Sequence, residues 1–188
     1  MDDVDVDIKL MERVKEGDDS AFGELVSRHY RSVYNLARRF LYDAHEAEDI
    51  TQEVFLRVYR AAGSYAPKAK LSTWLYTITK NLCFNEFRKT HSVKIVSIDD
   101  EVLPEIRSMD DSPALKLEKE EIKAKVLEAV NSLPANLKIA VLLLKYHEFS
   151  YEEVAEILGC TVNAVKLRIH RAKDFLAKSI GHLAVGDS

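Results

Sequence analysis

An all-α fold is predicted by three features of this 188-residue chain. Apolar residues recur at spacings of three and four with almost no period-two stretch. Only 6 Gly and 4 Pro are present, too few for a turn-rich sandwich or propeller, or for a glycine-loop nucleotide site. Hydrophobic residues make up 47% and charged residues 31%, the balance of a globular chain rather than of a disordered polymer or a membrane protein.

The helical period runs through Ile8 to Lys15, Phe22 to Leu41, Ala47 to Ala61 and Leu71 to Phe87, which predicts an N-terminal helical domain over residues 1–91. From Val93 to Asp111 the period is lost while acids and Pro104 collect, so a flexible acidic linker is expected over residues 92–112. Ser112-Pro113 then offers a cap followed by proline at the first helical position. The period returns in Ala114 to Asn131, Leu137 to His147, Tyr151 to Leu158 and Val162 to Ser179, a second small helical domain over residues 113–188. No apolar run approaches the roughly 18 residues of a membrane span, and the first residues, MDDVDVDIKL, are acidic where a signal peptide is basic and then apolar. A cytoplasmic protein without membrane insertion is expected. Cys83 and Cys160 lie in separate helical patterns with no CxxC pairing, so buried thiols are expected and no disulfide framework, metal site or cofactor.

The net charge of -4 conceals a strong segregation. Residues 1–24 and 92–121 are acidic, whereas residues 57–91 carry Arg57, Arg60, Lys68, Lys70, Lys80, Arg88 and Lys89 against Glu86 alone. A second basic stretch holds Lys166, Arg168, Arg171, Lys173 and Lys178 against Asp174. Two basic surfaces on either side of an acidic linker suggest a polyanion gripped at two places, the alternative being two solvated helix faces.

Three segments carry the functional reading. In the helix Ala47 to Ala61 the apolar stripe is Ala47, Ile50, Val54, Val58 and Ala61, which leaves Asp49, Gln52, Glu53, Leu56 and Arg60 on the far side. An acidic patch holding an apolar residue suits protein docking, with the acids orienting a partner and Leu56 and neighbouring Phe55 supplying desolvated contact. Next, a short loop with Tyr65, Lys68 and Lys70 leads into Leu71 to Lys89, where Arg88 and Lys89 are interleaved with Trp74, Tyr76, Asn81 and Asn85. Lysines hold phosphates, aromatic rings stack unpaired bases and amides bond base edges, the chemistry of single-stranded nucleic acid binding. Aromatics at this spacing more often belong to the core, and Trp74 is read as bracing the loop. Finally, Ser150-Tyr-Glu-Glu153 forms a capping box, Gly159 suits a turn through positive φ, and Thr161 caps a second helix with Val165, Ile169, Ala172 and Leu176 on its apolar stripe. This is a helix-turn-helix, and Asn163, Lys166, Leu167, His170, Arg171 and Asp174 lie on the face a major groove meets.

The order DAHEAEDITQEVFLRVYRA (43–61), LSTWLYTITKNLCFNEFRK (71–89) and LPANLKIAVLLLKYHEFSYEEVAEILGCTVNAVKLRIHRAK (133–173) resembles the bacterial RNA polymerase sigma factors of the extracytoplasmic-function group, within the sigma-70 family. The resemblance implies an alternative sigma factor and not an enzyme. Its region 2 would be residues 1–91 and its region 4 residues 113–188, and its linker would enter the polymerase active-site channel. It also implies that Asp49, Gln52, Glu53, Phe55 and Leu56 dock on the β′ clamp coiled coil of core polymerase. Tyr65, Lys68, Lys70, Trp74, Asn81, Asn85, Arg88 and Lys89 would open and hold the −10 element. Asn163, Lys166, Leu167, His170 and Arg171 would read the −35 duplex, and Leu137 to His147 would adjoin the β flap tip. An anti-sigma factor is the implied regulator. The recognition helix departs from the common pattern, roughly VGTVKSRLHRAR, with Asn163 for glycine, Ala164 for threonine and Leu167 for serine, so its −35 preference does not follow from relatives. The rival readings are a stand-alone helix-turn-helix regulator of duplex DNA, which leaves the first two segments unused, and a metal centre from His29, His45, Glu46, Asp49 and Glu53, whose side chains point apart.

Overall fold

The computed structural model describes residues 3–66, 70–93, 126 and 128–184, and the helices found there are α1 (Asp3–Lys15), α2 (Asp19–Leu41), α3 (Ala44–Ala61), α4 (Leu71–Val93), α5 (Ala135–Tyr146), α6 (Tyr151–Leu158) and α7 (Val162–Ala184). A 3-10 turn, Ala62–Ser64, follows α3. No strand occurs among the described residues. The expected linker from residue 94 onward, Lys68, and most of the expected helix Ala114 to Asn131 lie outside them.

Several helices begin earlier than the apolar period suggests, because polar caps start them. Asp18 accepts from the backbone N–H groups of Ser20 and Ala21, and Asp43 from that of Glu46. Each carboxylate satisfies donors that have no partner inside the first turn. The Asp18 carboxyl is held well below the usual carboxylate range by Ser20 and by Arg13, which lies 2.7 Å away. At its other end α2 closes on Tyr42, a residue in the left-handed region at φ 66.

The α2 helix is the axle of the first half: it packs against α1, α3 and α4, burying Leu25, Val33, Leu36, Ala37 and Phe40. Phe40 meets Phe84 and Phe87 of α4 at ring distances of 5.2 and 5.9 Å. The second half is built on α5, which packs against α6 and α7. The halves are not separate. α5 also packs on α2, α6 packs on α4, and the buried residues from Leu10 to Cys83 and from Ile139 to Ile169 form one contiguous apolar core.

Polar groups are trapped in this seam. Lys138, 5% exposed, reaches out of α5 and its Nζ donates to the carbonyl of Phe40 at 2.9 Å. That carbonyl is among the last four of α2, which have no partner within the helix and lie at the negative end of its dipole. The Tyr42 ring covers the same ammonium at 4.6 Å. The Tyr76 hydroxyl of α4 lies 2.6 Å from Nδ1 of His147, and the Phe149 ring stands edge-on to Tyr76 at 4.7 Å. Arg39 lies over the ring of Tyr146 at 4.1 Å.

Burial sets how the seam answers to pH. It pushes Lys138 down to about 8, and burial together with the Arg39 charge pushes His147 down to about 4. Both groups bind more protons when released than when packed, so packing strengthens as pH rises through each window. For His147 the window runs from pH 6.5 down to about 4, across which its contribution is lost. We predict that the thermal midpoint of the wild type falls more steeply than that of His147→Asn between pH 6.5 and 4, each kcal/mol lost lowering it by about 2–4 °C. Parallel midpoint-against-pH curves would remove His147 from the packing.

Candidate nucleic-acid and protein interfaces

The first candidate face is the outer side of α3. Ala47, Ile50, Val54 and Val58 point into the core, and Asp49, Gln52 and Leu56 point out, with Leu56 48% exposed. Glu53 is half-buried and accepts from Arg57 at 2.7 Å, while Nδ1 of His45 is 3.3 Å from Asp49. Phe55 corrects the expectation. Instead of offering apolar contact on the surface it is 5% exposed, stacked with Tyr30 at 6.4 Å, because the buried stripe of α3 widens to take in Thr51 and the residue one turn later. Leu56 is thus left as the apolar centre of the acidic face, with Arg57 a member that its i,i+4 spacing from Glu53 would have revealed.

The second face lies beside it. Asn81, Asn85, Arg88 and Lys89 are all exposed along one side of α4. Arg88 donates to Oδ1 of Asn85 at 2.7 Å, and Lys89 pairs with Glu86 at 2.9 Å. Asp49 and Glu53 on one wall and Asn85, Arg88 and Lys89 on the other line a single open groove between α3 and α4. Acid crowds there: burial, then Glu86, Asp43 and Asp49, pushes the Glu46 carboxyl upward. Tyr65 and Trp74 are half-buried and lie against each other at 5.5 Å, the bracing arrangement that the sequence favoured for Trp74. Tyr76, considered as a base-stacking ring, is instead 4% exposed and committed to the seam, because its position on α4 faces His147 and Phe149. Lys70 is exposed and pairs with Glu153 of α6 at 2.7 Å.

The third face belongs to α7. The capping box is complete, the Glu153 N–H donating to Ser150 Oγ at 3.1 Å and the Ser150 N–H to Glu153 Oε2 at 2.9 Å. Gly159 turns the chain at φ 64, and Thr161 Oγ1 accepts from the N–H of Ala164 at 3.2 Å. Val165, Ile169 and Ala172 are buried, so Asn163, Lys166, Leu167, His170 and Arg171 all face outward, Leu167 at 50% exposure. His170 pairs with Asp174 at 2.9 Å. Cys83 is buried as expected, its thiol pushed up to about 12, but Cys160 is only half-buried, at the turn where Nη1 of Arg168 approaches its sulfur at 3.4 Å.

The residues of the rival metal centre are used otherwise. His29 is 2.9 Å from Asp7, itself bound to Arg28, and His45 serves Asp49. Among the described residues no cluster of three metal-ligating side chains occurs, and no helix is long and apolar enough to cross a membrane.

Comparison with known proteins bears on all three faces. Residues 25–93 match the family described as Sigma-70 region 2, and residues 123–176 match Sigma-70, region 4. RNA polymerase sigma-H factor of Pseudomonas aeruginosa is 33% identical over 180 residues, which is 93% of each chain. ECF RNA polymerase sigma factor SigW of Bacillus subtilis is 35% identical over 93% of this chain and 97% of its own. Among solved structures, CnrH in complex with the cytosolic domain of CnrY superposes with a TM-score of 0.68 at 24% identity, over 97% of this chain and 99% of that one. The sigma factor RpoE of Bartonella quintana, in complex with the anti-sigma factor NepR, gives 0.67 at 22% identity, over 85% and 96%. These two likenesses establish the fold.

The helix-turn-helix yields its own prediction. An added Cβ at Gly159 meets nothing within 4 Å, so the cost of Gly159→Ala is the left-handed backbone alone, about 1 kcal/mol. Ser150→Ala removes one half of the capping box for about 1 kcal/mol. Denaturant unfolding measures both, and a loss several times larger for Gly159→Ala would mean that the turn is packed.

Proposed function

Because this chain belongs to the extracytoplasmic-function group of RNA polymerase sigma factors, we propose that its three outward faces divide the work of an alternative sigma factor among docking, promoter opening and promoter reading. An initiation factor of this kind directs polymerase to a promoter and catalyses nothing itself. In this reading residues 1–91 and 113–188 are its two working domains, joined by residues 92–112, and it acts in the bacterial cytoplasm.

The α3 face, with Asp49, Gln52, Glu53 and Leu56, docks on the β′ clamp coiled coil of core polymerase, and Phe55 acts from beneath by holding the face in shape. Long-range charge orients the encounter and Leu56 supplies the desolvated contact. The α4 face and the loop before it take the −10 strand: Lys68, Lys70, Arg88 and Lys89 hold phosphates, Asn81 and Asn85 meet base edges, and Tyr65 with Trp74 braces the loop. In α7, Lys166 and Arg171 have the donors for guanine or phosphate, Asn163 and His170 flank them, and Leu167 meets a thymine methyl. A single observation carries the reading: α7 holds an outward basic face with an exposed leucine on the second helix of a fully capped helix-turn-helix. The Leu137 to His147 segment meets the β flap tip. Control by an anti-sigma factor is supported by RpoE of Bartonella quintana, which has this fold and is bound by one.

The deciding experiment is promoter-specific transcription with purified core polymerase. Wild-type protein is expected to initiate at a defined start site. Asp49→Lys combined with Glu53→Lys should lower core affinity at least tenfold without loss of helical content, whereas wild-type affinity in that variant would end the docking assignment. In a selection from randomised −35 elements, Leu167→Ser should change the preferred base at one position by about 1–3 kcal/mol of discrimination and leave overall affinity nearly unchanged. Identical preferences in wild type and variant would remove Leu167 from reading.

A further inference from the structure

Lys80 and Arg168 are half-buried cations that none of the three faces uses. They line one cleft, Lys80 from α4 and Arg168 from α7, together with the exposed Arg88. Its volume is about 600 Å³, within the roughly 300–1,000 Å³ of a small-molecule site. In a chain with 31 acids against 27 bases, no carboxylate lines this cleft, whereas the neighbouring groove between α3 and α4 carries Glu46, Asp49, Glu53 and Glu86. Burial pushes the Lys80 ammonium downward and the Arg168 charge adds to this, against the opposing effect of Cys160. Nη1 of Arg168 meets only the Cys160 sulfur, a weak acceptor, at 3.4 Å. Like charges held together in a cleft raise the potential there and draw an anion. The remaining lining is of two kinds. Asn81 of α4 and Asn136 of α5 are exposed and each offers a donor and an acceptor, and Phe84, Ile139 and Leu158 supply apolar surface.

We propose that this cleft binds a free nucleoside triphosphate: Lys80 and Arg168 hold the phosphates, Phe84 and Leu158 pack against the base, and Asn81 and Asn136 bond its edge. The guanidinium fork takes two phosphate oxygens and the ammonium a third. Pyrophosphate would use the cations alone and leave the amides and the apolar surface empty. A nucleic-acid strand fits less well, because cations from α4 and α7 converge on one place, whereas a strand groove sets its cations along a backbone. One consequence, and only this one, rests on the sigma-factor reading: a seated nucleotide takes Asn81 and Arg88 from the −10 strand, so the two ligands exclude each other.

Isothermal titration calorimetry of the free full-length chain with ATP, GTP and pyrophosphate tests the site. ATP or GTP should bind at one equivalent and at least tenfold more tightly than pyrophosphate. Lys80→Met and Arg168→Met keep an unbranched stem and should each weaken the nucleotide at least tenfold. Lys173→Met removes a charge from an exposed position of α7 outside the cleft and should leave the affinity unchanged. Irradiation of the wild type with a photoreactive azido analogue of ATP should label a peptide containing Phe84 or Leu158, a result that depends on no variant. A single-stranded −10 oligonucleotide should displace the nucleotide. No binding at millimolar ATP and GTP, equal affinity for pyrophosphate, or label placed elsewhere would overturn the proposal. So would equal losses in all three variants, which would mean diffuse attraction to a basic surface. An oligonucleotide weakened by Lys80→Met and Arg168→Met in a chain that binds no nucleotide would give these cations to the strand instead. Failure of the wild type to initiate with core polymerase would overturn the functional reading and leave the nucleotide titration unaffected.

Discussion

Removing a lysine charge from water costs several kcal/mol unless other groups replace the hydration shell, and at Lys138 the replacement is the C-terminal end of α2. The helix ends there because Tyr42 takes a left-handed conformation, which turns the chain away and leaves the Phe40 carbonyl open to an ammonium from another element. Phe40 itself points into the first half against α4. One residue thus anchors α2 to its own bundle by its side chain and to the second half by its backbone. Magnitudes indicate which effect holds the seam. The partly exposed Lys70–Glu153 pair contributes about 0–1 kcal/mol, whereas each large apolar side chain fully buried in the shared core contributes about 1.5–3 kcal/mol. Apolar burial holds the halves together, and the polar contacts fix where they meet.

The same division appears at the candidate faces. The groove between α3 and α4 places carboxylates opposite guanidinium and ammonium groups, yet most of these pairs lie within one helix, as with Glu53–Arg57 and Lys89–Glu86. Charges neutralised along their own helices stay in place and remain available to an outside partner. Leu56 on α3 and Leu167 on α7 stand exposed among charged neighbours, and both are the apolar contacts assigned under the proposed function.

Much of this was legible in the sequence, where chemistry is local. The capping box at Ser150, the turn at Gly159 and the outward face of α7 depend on residues within a few positions of one another, and their spacing states the geometry. The helix starts at Asp18 and Asp43 were equally local, but an apolar period does not register a polar cap. The sequence places Phe55 at the surface because a stripe drawn from five aliphatic residues gives no measure of its width. The seam is nearly invisible in the sequence, since it pairs positions far apart in the chain, such as Phe40 with Lys138. A lysine inside the apolar run from Leu137 to Leu144 was its one visible sign.

The carboxylate of Glu153 both caps α6 and reaches Lys70. One oxygen serves each role, Oε2 receiving the Ser150 amide and Oε1 the lysine. Loss of the lysine therefore does not unravel the start of the helix, and the two-helix unit stands as a finished part. The entropy of ordering that unit has already been spent during folding, so none of it is charged against promoter binding. Mutational effects at positions 70 and 150 should consequently be nearly additive although both act through a single side chain, a separability that follows from which oxygen each partner holds.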